Sequence, residues 1–170
     1  AWGRSGATVR SPWLPPLVES YEGEKLAKEW GLPAPFAIVD DPWRQRRTVA
    51  RLGPPGSVYG VYGASGTGRS TSIVSIVRST RTAQEAPRLF ILDSASRGLR
   101  SLIEEPHASA YVSGEDTASV LRMLRHLANI ENSSTPTMVV VDSFADLCHE
   151  THPSDREDVL SLFSACLLYT

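Results

Sequence analysis

The sequence predicts an α/β protein: a parallel sheet flanked by helices. Three observations carry this. From Ser57 onward, short β-branched and aromatic runs alternate with segments of helical periodicity, the order that places parallel strands side by side with helices on their faces. A glycine-rich octapeptide, Gly63 to Ser70 (GASGTGRS), separates one such run from one such segment. Two apolar runs, Leu89 to Leu92 and Met138 to Val141, each end in an aspartate.

Residues 1 to 50 read as a lead-in segment packing on the core, because Pro12, Pro15, Pro16, Pro33, Pro35 and Pro42 repeatedly interrupt regular structure. Within it, Glu19 to Trp30 has the composition of a short charged helix. The domain proper is expected over 51–170. A Gly53-Pro54-Pro55-Gly56 turn leads to a first strand, Ser57 to Tyr62, then to the glycine-rich loop. Ile73, Val74, Ile76 and Val77 follow at helical spacing. Leu89 to Leu92 is a buried strand ending in Asp93; Leu99, Leu102 and Ile103 mark a short helix, and Tyr111-Val112 a short strand. Val120, Leu121, Leu124, Leu127 and Ala128 line one helical face, entered through Ser113-Gly114-Glu115-Asp116 with capping-box spacing. A loop from Asn132 to Pro136 leads to the strand Met138 to Val141, which terminates in Asp142. A final helix is expected over Asp155 to Leu167 with Val159, Leu160, Phe163 and Leu167 inward.

The octapeptide matches a phosphate-binding loop except that Arg69 stands where lysine is usual. Glycines let the backbone turn its N–H groups toward a phosphate chain, and the following helix adds its positive end. Arg69 keeps the charge but is planar, longer and forked, so it can hold phosphate without sitting where a transferring group develops charge. The hydroxyl of Ser70 has the place of the magnesium ligand, and Asp142, closing an apolar strand, that of the carboxylate facing magnesium and its waters. Ser143 follows where many ATPases carry a glutamate that positions the attacking water. Asp93 closes a strand too and is read as a turn residue first.

The chain has 170 residues and a net charge of −2, which fits one domain with a real core and gives no overall basic field for nucleic acid. No apolar run approaches membrane-spanning length and no signal pattern opens the chain, so the expected setting is the cytosol, with an anchor elsewhere in a longer parent left open. Cys148 and Cys166 are read as free thiols, too few for a disulfide framework.

Trp13-Leu14-Pro15-Pro16-Leu17, then Ile38-Val39-Asp40-Asp41-Pro42 with Arg44-Gln45-Arg46-Arg47, then the loop, then Leu92-Asp93 with Gly98-Leu99, Leu102 and Pro106-His107 resemble, in this order, the FtsK/SpoIIIE-type ATPase modules of EccC, the motor of bacterial type VII secretion. The first two segments are the most specific, since nucleotide chemistry requires neither. Val141-Asp142-Ser143-Phe144 resembles the degenerate modules of that family. The resemblance implies a P-loop NTPase (RecA/FtsK-like) fold and a cytoplasmic module of a membrane-associated secretion complex, without direct membrane insertion. It implies a module that binds ATP and Mg2+ with little hydrolysis, docks on adjacent ATPase modules and in some cases receives a secreted helical-hairpin substrate. The nucleotide would be held by Gly63, Ala64, Ser65, Gly66, Thr67, Gly68, Arg69, Ser70 and Thr71, with Arg69 at the β/γ-phosphates and Thr71 near the α-phosphate; Ser70 and, through water, Asp142 would hold Mg2+. It also implies one further strand between the Asp142 strand and the loop strand, contributed after residue 170, so the domain is expected to be incomplete at its C-terminus.

Two rival functions are a DNA-translocating motor of the same superfamily, for which Arg44, Arg46, Arg47 and Arg51 are the densest basic stretch, and an interaction module in which Arg69 pairs with a carboxylate. A charge run is usually a solvated face, and DNA is not an expected partner. Cys148-His149-Glu150-Thr151-His152 lacks zinc-motif spacing and is read as a solvated loop; Pro12 to Pro15 forms a P-x-x-P whose Trp13 and Leu14 suit packing. His107 and His126 stand alone in the sequence and are assigned no chemistry.

Overall fold

The computed structural model describes residues 14–54, 56–83, 85–94, 96–130 and 135–168. Trp13, most of the loop from Asn132 to Pro136, and the side chains of Cys166 and Leu167 lie outside the described residues. The chain opens on helix α1 (Gly23–Trp30) and an antiparallel hairpin of β1 (Pro35–Asp41) and β2 (Arg46–Arg51). Helix α2 (Arg69–Ser79), β3 (Arg88–Asp93), β4 (Ala108–Ser113), α3 (Thr117–Ala128), β5 (Thr137–Val141), α4 (Phe144–Glu150) and α5 (Pro153–Leu168) follow.

The hairpin was not expected, and α1 is shorter than the helix read from Glu19. The prolines fall where they do not oppose strand pairing: Pro35 is the first residue of β1, and Pro42 opens the turn between the strands. There Asp41 caps the turn by accepting from the Arg44 backbone N–H at 3.3 Å and pairs with the guanidinia of Arg44 and Arg46, at 3.1 and 3.5 Å. Two of the four arginines in the basic stretch thus share one carboxylate of their own hairpin.

The expected α/β core is present. β4, β3 and β5 form a three-stranded parallel sheet in that order, with Leu92 aligned to Val112 on one side and Val141 on the other. Leu89, Phe90, Ile91, Leu92 and Asp93 are all buried, as a central strand covered on both faces requires. Alternation sends Leu89 and Ile91 toward α2, where Val77, Ile73 and Val74 meet them with Val140, Leu99 and Leu102. Phe90 and Leu92 point the other way, into Val120, Leu121, Leu124, Leu127, Leu147 and Val159 of α3, α4 and α5. The result is a helix–sheet–helix sandwich.

Four expectations are corrected. Ser57 to Tyr62 forms no strand: a strand is held by a ladder, and among the described residues β5 is paired on one side only, to β3. Val58, Tyr59 and Tyr62 are instead exposed. The cap of α3 is Asp116, accepting from the Ser119 N–H at 3.1 Å, and not Ser113, which ends β4. Cys148 to Glu150 belong to α4, whose Leu147 carbonyl is capped by buried Thr151, so that stretch is not a loop. Leu160 faces outward, 42 % exposed, while Val159 takes the core position. The lone histidines are packing residues: His107 Nε2 lies 3.3 Å from Thr80 Oγ1, and His126 packs on the Phe90 ring.

Candidate functional site

The parallel strands all end at one edge of the sheet, and the register puts two carboxylates there. Leu92 and Val141 are aligned, so Asp93 and Asp142 follow them on neighbouring strands, on the α2 side. The carboxyl ends of parallel strands are where open α/β sheets place ligands.

Asp142 is nearly buried and accepts from three serine hydroxyls. Ser70, in the first turn of α2, donates to Oδ1 at 3.2 Å; Ser94 and Ser96, in the loop after β3, donate to Oδ2 at 3.3 and 3.2 Å. Ser70 and Asp142, paired by the sequence across 72 positions, are therefore in contact. Gly98 closes the cluster: a Cβ there would lie 2.8 Å from Ser70 Oγ and 3.2 Å from Asp142 Oδ2.

Asp93 lies alongside, fully buried. Its Oδ2 accepts from the Leu99 N–H at 3.1 Å and from the Tyr111 hydroxyl at 2.8 Å, while Oδ1 has no partner among the described residues. Burial, aided by the charge of Asp142, holds the Asp93 carboxyl above the ordinary range against the hydrogen bonds from Tyr111 and Leu99. Burial and the bond to Asp93 push the Tyr111 hydroxyl up to about 12.

The loop itself is a closed turn. Thr67 donates to the Ala64 carbonyl from both its N–H, at 3.3 Å, and its hydroxyl, at 2.8 Å. Gly66 and Gly68 have φ of 76° and 90°, open to glycine at little cost. Gly63 has no room for a side chain, since a Cβ would meet Thr67 Oγ1 at 2.5 Å. The Gly68 carbonyl accepts from Ser72 at 2.8 Å to begin α2, whose first turn carries no acidic residue. Ala64, Ser65, Thr67, Arg69 and Thr71 are exposed. Arg69 has no hydrogen-bond or ion-pair partner among the described residues; neither it nor Thr71 joins the Asp142 cluster.

Comparison of the chain with protein-family models, with curated proteins and with solved structures finds no match.

Sequence reasoning missed Ser94, Ser96, Gly98 and Tyr111 and discounted Asp93. One signal was present: Leu92-Asp93-Ser94 repeats Val141-Asp142-Ser143, the same ending on two strands. The second serine does different work. Ser143 adopts φ 50° at the start of α4 and donates to Asp146, away from the carboxylate.

Proposed function

We propose that the chain is a nucleotide-binding, hydrolysis-deficient P-loop ATPase module, similar to the FtsK/SpoIIIE-type modules of EccC, with a regulatory or substrate-docking role in a type VII secretion motor. The observation that carries the reading is the 3.2 Å contact between Ser70 Oγ and Asp142 Oδ1, which joins the end of the glycine-rich turn to the end of an apolar strand. A cofactor is tested against these atoms. The Ser70 hydroxyl spends its proton on Asp142 and keeps its lone pairs, so the two supply neighbouring hard oxygen donors, the kind Mg2+ takes. Bound there, the ion would neutralise phosphate charge. The chain's own part would be to hold the phosphates on the N–H groups at the start of α2, with Arg69, which has no partner among the described residues, forking onto phosphate oxygens.

Little turnover is expected. Ser143 is no base and its hydroxyl is engaged by Asp146, while Asp93 is sealed from solvent. The test is a thermal melt with and without ATP and Mg2+, because a ligand of the folded state raises the midpoint by mass action. The expected outcome is a rise that disappears in Arg69→Ala and Asp142→Ala, with phosphate release at background. A midpoint unmoved by saturating ATP would overturn the nucleotide reading, and turnover lost in Asp142→Ala would overturn the hydrolysis-deficient one.

A second reading, an interaction module without nucleotide, is favoured by one observation. Trp43, Val58 and Tyr62 are 97 %, 67 % and 94 % exposed, large side chains that a protein partner could cover. The same melt separates the two readings.

A further inference from the structure

A shallow, open cavity lies at the carboxyl edge of the sheet, between the segment that carries Gly98 and the end of β4. It measures about 210 Å3 and is lined by Arg97, Arg100, Ile103, Tyr111 and Ser113. Two guanidinia converge on it, both close enough to act electrostatically on the Tyr111 hydroxyl. Arg100 has no acceptor among the described residues. Arg97 is held at φ 53°, its N–H donating to the Ser94 carbonyl at 2.9 Å and its own carbonyl accepting from the Arg100 N–H at 3.3 Å. Tyr111 gives its proton to Asp93, so the donors left for a ligand are Arg97, Arg100 and the Ser113 hydroxyl.

One carboxylate already stands at the mouth, loosely. Glu115 Oε2 is 3.8 Å from Arg97 Nη2 and 3.5 Å from Ser113 Oγ, with both charged side chains more than half exposed. Such a pair is worth little. A tetrahedral dianion offers more oxygens than a carboxylate to two planar forks and a hydroxyl, and guanidinium–phosphate pairing is among the strongest hydrogen-bonded contacts available to a side chain.

We propose that the cavity between Arg97, Arg100, Tyr111 and Ser113 is a phosphate-binding site, distinct from the glycine-rich loop, that takes the phosphoryl group of a small phosphate ester or free phosphate and displaces Glu115 from Arg97. The site stands independently of the nucleotide reading. It also has a physical route to the first cluster: Ser96 and Gly98 face Ser70 and Asp142, while Arg97 and Arg100 on the same short segment face the cavity.

The experiment titrates inorganic phosphate, and separately phenyl phosphate, at pH 7.5 and constant ionic strength, following the thermal midpoint and the 31P linewidth. The expected result is a saturable stabilisation by phosphate that acetate and chloride do not reproduce. It persists in Arg69→Ala, is lost in Arg97→Ala/Arg100→Ala, and is about two- to fivefold tighter in Glu115→Gln, where the weak competing pair is removed. A response to phenyl phosphate weaker than to free phosphate identifies the free ion as the ligand; an equal or stronger one identifies the ester. Loss in Arg69→Ala with retention in the double variant would assign the binding to the loop and overturn the proposal, as would an equal response to acetate. Should the double variant melt without cooperativity, Glu115→Gln decides: affinity unchanged from the parent overturns the proposal.

Discussion

Asp93 and Asp142 end neighbouring strands, yet their surroundings part them. Asp142 accepts from three serine hydroxyls; Asp93 sits in a sealed site with one oxygen unpartnered among the described residues. The raised Asp93 carboxyl means that the folded chain holds this proton more tightly than the unfolded chain. Its contribution is full below the ordinary aspartate pKa of about 3.9 and is lost as pH rises through the raised value, so Asp93 weakens the fold toward neutrality. The expected outcome for Asp93→Asn is a flatter fall of the thermal midpoint from about pH 4 upward, checked by melts across that range; a parallel displacement at every pH would refute it. Gly98→Ala tests the cluster from its other side. Its Cβ would need Ser70 or Asp142 to give way, so ATP-dependent stabilisation should fall while the stability without ligand drops by about 1–3 kcal/mol, the usual cost of overpacking.

At the scale of elements, what was legible in the sequence had strong period and apolar content. β3, β5 and α3 were read nearly to their ends, and the glycine turn with its following helix was read at the right place. Elements whose reasons lie in tertiary context were not legible. The β1–β2 hairpin hides behind prolines that occupy permitted positions; α4 is short and buries Leu147; the Ser57 to Tyr62 run has strand composition but no strand partner among the described residues. Ser94 and Ser96, beside Asp142, come from a loop tied down by Asp93 accepting from the Leu99 N–H, a bond no local pattern announces. Two predictions belong here. Leu124→Ala, at the centre of the α3–α5 face, should cost about 2–5 kcal/mol by denaturant unfolding. Glu105, with its side chain buried, receives Arg78 at 3.1 Å and Arg81, tying α2 and the turn after it to the approach of β4. Burial alone would raise its carboxyl; the two guanidinia outweigh that and hold it below the usual range. Its stabilisation is therefore present above the unfolded glutamate pKa of about 4.3 and is lost as pH falls through the folded value. Glu105→Gln should remove that acid-side dependence, with a loss near neutrality of about 1–3 kcal/mol, the arginines being half exposed.

Across the whole molecule, order is distributed unevenly along the direction of the sheet. β3 is hydrogen-bonded on both sides and buried on both faces, β4 and β5 each flank it on one side, and the segment from Ser57 to Tyr62 has no ladder. Amide exchange reports this gradient, because a buried, doubly paired strand opens only with the whole fold while unpaired backbone exchanges without any opening. The slowest amides should lie in Leu89 to Leu92, and those of Val58 to Tyr62 should exchange fastest within the region from Ser57 onward. Among the described residues β5 is paired on one side only, and a free strand edge is also a surface on which another strand can pair. Protection of Val58 to Tyr62 that grows with protein concentration would show that the segment gains its ladder from a second copy of the chain. Protection at high dilution would instead place a partner strand within one chain and overturn the unpaired arrangement described for this segment.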